Sequence, residues 1–181
     1  MVLVKHFFES REAGIYSALS ACGKTVFLIV NLFGAIMFPL VASRQAKGGD
    51  YFKPLKITLG IVFLISIFIL VAFLMFPKFV IGLLFGSQYL EASKFLFYYG
   101  LAATLCGTVF TISHFFMALS KFKFLYFLAG GAILEALLIN FWHSSFNQII
   151  FSFVASLLFI LLGMAFLVFL EKRQFQRSVL R

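Results

Sequence analysis

Residues 57–76 read ITLGIVFLISIFILVAFLMF, and none of them is charged. A helix rises ~1.5 Å per residue, so a run of this length covers the ~30 Å hydrocarbon core of a bilayer. Barrel strands would alternate polar and apolar residues, and soluble strands would be broken by turn residues every few positions. This stretch does neither. In lipid an unpaired backbone group is costly, which leaves the helix.

Four further apolar runs flank this one: about 14–42, densest over 26–42, then about 95–119, 124–142 and 149–170. Hydrophobic residues make up 63% of the 181-residue chain and charged ones 12%. Soluble domains average about 45–50% apolar and about 25% charged. A water-soluble domain of this size could not hide so much apolar surface, least of all its 28 phenylalanines. The fold class is therefore all-α, a polytopic transmembrane helix bundle of about five helices. Membrane lipids are its first expected partners.

Charge placement supplies a direction. Arg44, Lys47, Lys53, Lys56, Lys121, Lys123, Lys172, Arg173, Arg177 and Arg181 fall on one side of a five-span arrangement; Lys5, Arg11, Lys78 and Lys94 fall on the other. The bias predicts a cytoplasmic C-terminus and an outer N-terminus in a cell (cytoplasmic) membrane. Residues 1–13 form an extracytoplasmic lead-in. They are no signal peptide, since the basic residues follow a very short apolar stretch, and they read as the end of a longer segment. Residues 171–181 form a basic cytoplasmic tail. Between the second and third spans, residues 78–92 are too short to cross and follow Pro77, so a helix lying in the outer interface is expected. Tyr89, Tyr98, Tyr99 and Trp142 fall at headgroup level.

The net charge of +9 suggests nucleic acid only until its placement is read. The basic residues sit in gaps between apolar runs rather than along one stripe, so no nucleic-acid partner is expected. Cys22 and Cys106 stand in apolar surroundings without a ligand cluster, and His6, His114 and His143 have no metal-ligand spacing. No metal or other cofactor is expected. No nucleophile motif or second carboxylate near Glu135 points to catalysis, so the chain is not expected to be an enzyme.

Polar residues inside spans carry what chemistry there is. Glu135 is the one acid within a run, and a charge at mid-bilayer costs at least about 2.5 kcal/mol. It fits a substrate or ion path, a paired or protonated interhelical contact, or an interfacial position. Lys24 fits a cavity residue holding an anionic group such as phosphate, or a side chain snorkelling to the outer headgroups. Gly23-Lys24-Thr25 ends like a phosphate loop, but that motif needs glycine at position 18, where Ala18 stands. Asn31 and His114 are milder candidates for the same path. Thr104, Thr108, Thr111 and Ser113 suit helix packing. Pro39 is a candidate hinge in the first span, and Gly130-Gly131 permits close approach of a neighbour.

Several short elements resemble the polysaccharide flippases of the multidrug/oligosaccharidyl-lipid/polysaccharide exporter superfamily. Glu12-Ala13-Gly14-Ile15-Tyr16-Ser17 is similar to the EAGxYS element opening their eighth helix, and Val4-Lys5-His6-Phe7-Phe8 to the end of the seventh. Phe38-Pro39 resembles an element late in the eighth. Ile81-Gly82-Leu83-Leu84-Phe85-Gly86-Ser87-Gln88-Tyr89 resembles the segment between the ninth and tenth. Ala118-Leu119-Ser120-Lys121 resembles the boundary after the tenth, with Ser120 where glycine is usual. The elements occur in family order over nearly the whole chain.

The resemblance implies the C-terminal lobe of a two-lobed exporter, helices eight to twelve, without the first lobe. It implies movement of an isoprenoid-linked oligosaccharide to the outer leaflet by alternating access, coupled to a proton or sodium gradient. A lone lobe would need a separate N-terminal-lobe polypeptide to work. The alternatives are a structural or assembly membrane protein that only packs helices, and a fragment of a multidrug or peptidoglycan-lipid exporter of the same superfamily. A flippase would line one groove with Lys24, His114 and Glu135; a packing protein would scatter them.

Overall fold

The structure, a computed structural model, describes residues 10–141 and 146–179. Val4–Phe8 of the resemblance, Trp142 and Arg181 lie outside the described residues. Those described form α1 (Ser10–Ala46), α2 (Phe52–Met75), α3 (Pro77–Phe85), a 3₁₀ segment (Ser87–Lys94), α4 (Leu96–Ala118), α5 (Phe124–Phe141) and α6 (Phe146–Val179). Five of these helices, α1, α2, α4, α5 and α6, are long and apolar enough to cross a membrane. The chain is an all-α bundle consistent with a multi-pass membrane protein.

The connections follow from local chemistry. After α1, Gly48 takes φ +67°. Asp50 Oδ1 then accepts a hydrogen bond from the Phe52 amide at 2.9 Å, satisfying one of the free donors that open α2. Pro54 falls in the first turn, where its missing N–H breaks no bond. The helix therefore starts at Phe52 and takes in Lys53 and Lys56, which the sequence alone places in the gap. Pro77 opens α3 for the same reason. The stretch 78–92 is not one helix: Gly86 adopts φ +89°, ψ 170°, a conformation essentially confined to glycine, and divides it into α3 and the 3₁₀ segment. α1 continues through Pro39 without interruption.

α4 is the centre of the bundle. In its most apolar window 61% of residues are buried, against 28%, 17%, 11% and 22% in α1, α2, α5 and α6. α1 runs parallel to it, with Gly23 beside Tyr99 and Ala103, Gly107 beside Val30, and Gly34 beside Thr111. α2 covers one edge of this pair, setting Phe73 on Gly100 and Phe52 on Phe115. α6 takes the opposite face of α4, where Tyr98 meets Phe151 with ring centroids 6.2 Å apart. α5 packs on α6 through reciprocal close contacts, Gly131 against Ile160 and Gly163 against Phe127.

Two apolar cores result. One gathers Leu19, Cys22, Val26, Phe73, Ile81, Ala92 and Leu96 at the α3 end of the bundle. The other gathers Met37, Val41, Phe52, Leu55, Phe115, Phe116, Phe124 and Met164 at the end carrying the α1–α2 turn, here the basic end. Outward residues such as Phe63, Leu64, Phe68, Leu74 and Leu162 are exposed, as lipid-facing side chains are.

Candidate functional site

Lys24 and Asn31 stand two turns apart on one stripe of α1. Lys24 is exposed and Asn31 half-buried. The Asn31 Oδ1 atom is buried with no hydrogen-bond partner among the described residues. Such an orphan acceptor in an apolar seam is costly unless something donates to it. Phe27, one turn before Asn31, meets Phe110 of α4 edge-on at 5.2 Å. Gly34, almost one turn after, lies so close to His114 that a methyl group there would come within 3.2 Å of its Nδ1. The parallel register therefore sets Asn31 between these two contacts. His114 is half-buried, and its Nδ1 lies 2.8 Å from the Phe110 carbonyl oxygen in its own helix.

Glu135 is half-buried on α5, one turn after Gly131, which packs on α6, and its carboxylate is close enough to act electrostatically on Cys106 of α4. It has no hydrogen bond or ion pair among the described residues. On α4, Ala103, Gly107 and Thr111 face α1, while Tyr98, Val109 and Ile112 face α6. Cys106, Phe110 and Met117 fall on the edge between, away from α2. Phe110 and Met117 are exposed, at 45% and 47%. Lys24 and Asn31 of α1 and His114 of α4 lie along this same edge, where Phe27 meets Phe110 and Gly34 meets His114. Pro39 is exposed on α1, eight positions beyond Asn31.

Along the α1–α4 edge the structure sets a cation, an unsatisfied amide oxygen and an imidazole, while the Glu135 carboxylate stands apart on α5. The threonine and serine hydroxyls of α4 already donate within the helix: Thr104, Thr108, Thr111 and Ser113 donate to carbonyls of Leu101, Thr104, Gly107 and Val109 at 2.8–2.9 Å. Back-bonding of this kind uses their hydrogens and leaves only their oxygens to accept.

A second polar cluster escapes sequence reasoning. At the basic end Lys121 Nζ donates to both carboxylate oxygens of Glu171 at 2.6 Å, and Tyr51 Oη donates to Oε1 at 3.1 Å. Burial, then the Glu171 carboxylate beside it, hold the Tyr51 phenol well above its ordinary value of 10.0. Nothing in the sequence joins residues separated by 50 and 120 positions. The only local sign is an acid, Glu171, in an otherwise basic tail.

No protein-family profile, curated protein or solved structure matches this chain.

Proposed function

We propose that the chain is part of a membrane flippase that moves isoprenoid-linked oligosaccharide precursors across the cell membrane for surface polysaccharide synthesis. The observation that carries the proposal is the edge shared by α1 and α4, where Lys24, the orphan Asn31 oxygen and His114 lie along one side of the parallel pair. Lys24 lies toward the α3 end, where a cation can hold a pyrophosphate by charge-assisted bonds. Asn31 and Glu135 lie deeper, where amide and carboxylate suit sugar hydroxyls. The work is transport and makes no bond, so the protein is not an enzyme. A second polypeptide would cover the α4 edge that carries the exposed Phe110 and Met117.

Two elements of the family resemblance also meet in space. Gly14 of the first lies against Tyr89 of the third, with room for a methyl group only 3.2 Å from the Tyr89 ring. Ser120, where the family carries glycine, has φ +55°, the backbone conformation that glycine favours. Both support a C-terminal-lobe origin. The back-bonded hydroxyls of α4 favour the second reading, a non-transporting protein that packs helices.

Photo-crosslinking separates the two. The chain, in lipid nanodiscs, is exposed to an isoprenoid pyrophosphate-linked oligosaccharide bearing a photoreactive sugar. Transport predicts labelling of α1 around 24–31 and α5 around 131–139, displaced by unlabelled lipid-linked sugar. Lys24→Ala should cut it about tenfold, the worth of one charge-assisted bond. Labelling confined to the outer faces of α2, or indifferent to competitor, sinks the proposal in favour of packing alone.

A further inference from the structure

The cluster at the basic end joins three parts of the chain that lie far apart in sequence. Glu171, 7% exposed, is gripped by Lys121 from the α4–α5 turn and by Tyr51 from the α1–α2 turn. One turn further along α6, Phe175 sets its ring against Tyr51 and Phe52, with centroids 4.8 and 5.8 Å apart. Lys172, Arg173, Gln174, Gln176 and Arg177 of the same stretch are exposed. The last turns of α6 therefore press an acid and a ring inward and turn a basic face outward. We infer that Glu171 is the hub of a releasable clasp. Closed, it locks the α1–α2 turn, the α4–α5 turn and α6 together. Open, it frees the last turns of α6 and lets the basic ends of the helices move apart.

Three features make the clasp releasable rather than a fixed strut. The Lys121 side chain is 43% exposed, so on opening its ammonium returns to water at little cost. Its neighbour Ser120 takes φ +55°, a conformation that costs a serine about 1 kcal/mol and weakens the turn that carries Lys121. Of the described side chains past Glu171 only Phe175 is not exposed, so one half-buried ring is the apolar contact that opening gives up. The two partners are unequal. Removing Lys121 leaves a buried, unpaired carboxylate, whereas removing the Glu171 charge leaves an exposed ammonium.

Hydrogen–deuterium exchange on the full chain in nanodiscs tests this. Glu171→Gln should speed exchange of residues 171–179 about tenfold. Lys121→Met should speed it more, because a stranded carboxylate drives α6 off its seat. The charge exchange Lys121→Glu with Glu171→Lys should return the rate to within about twofold of the parent. Exchange in the middle of α2 and α5, away from the basic end, should not change in any variant. Rates at 171–179 within twofold of the parent in both single variants overturn the clasp. So does acceleration spread equally over all five long helices, because the cluster would then be a strut of the whole fold.

Discussion

Ser120 is the one described non-glycine residue with positive φ, at +55°. A side chain there is crowded by the neighbouring carbonyl, and the left-handed conformation costs about 1 kcal/mol. The turn needs it all the same, because the chain must leave α4 and enter α5 within five residues, Leu119–Lys123. The Ser120 amide donates to the Met117 carbonyl oxygen at 2.9 Å and the Lys121 amide to that of Phe116 at 3.0 Å, closing the helix end. Ser120→Gly should therefore stabilise the chain by about 1 kcal/mol, less what glycine gives up in the unfolded chain. A rise of about 2–4 °C in Tm, read in detergent, is the expected result. A fall would mean that the serine hydroxyl contributes more than its backbone costs. The sequence marks this residue only through the resemblance, since local preference alone favours glycine or asparagine at such a site.

Among the elements, the five long helices were legible from apolar length, and the centre of the bundle was legible in part. α4 is the least apolar of the five spans and the most buried. With lipid outside, the helix carrying hydroxyls and glycines goes to the middle, where packing and hydrogen bonds replace hydrophobic burial as the glue. The partners of α4 were not legible, because they depend on shape. Gly107 admits Val30 of α1, and Gly131 admits Ile160 of α6. These two contacts have different weight. Gly107 lies at the largest interface of the bundle, while α5 touches little besides α6. Gly107→Leu should force α1 and α4 apart and abolish a monodisperse species on size-exclusion chromatography. Gly131→Leu should leave that species intact and speed hydrogen exchange in α5 alone. Equal damage from both would contradict a central α4 and a peripheral α5. The site was legible to a similar degree. Lys24 and Glu135 draw notice as charges within spans, but the placement of Asn31 between Phe110 and His114 follows only from the parallel register of α1 and α4. The Lys121–Glu171–Tyr51 cluster was not legible at all, since it is assembled only when three distant turns converge.

At the scale of the molecule, orientation is the property that everything else depends on. α6 has 34 residues, ~51 Å of helix against ~30 Å of hydrocarbon, so it must project from the membrane. Its polar excess begins at Glu171 and includes Lys172, Arg173 and Arg177 at the basic end. Arg44, Lys47, Lys53, Lys56, Lys121 and Lys123 gather at that same end, while Lys78 and Lys94 stand at the other. Lys and Arg in short connections are retained on the cytoplasmic side during insertion, so the expected orientation puts the basic end inward. Reporter fusions check this directly. A reporter active only in the cytoplasm should be active when joined after Gly48, after Lys121 or after Val179, and silent after Ser87. Its periplasmic counterpart should show the reverse. The bias also has an identifiable origin. Lys47, Lys53 and Lys56 cluster around the turn between α1 and α2, and none of them is part of the clasp. Changing all three to glutamine should give mixed reporter signals at Ser87, whereas changing Lys78 and Lys94 should leave the pattern sharp. A periplasmic signal after Gly48 in the parent chain would invert the molecule. Lys24 would then lie near the cytoplasmic leaflet, and the clasp would stand outside the cell.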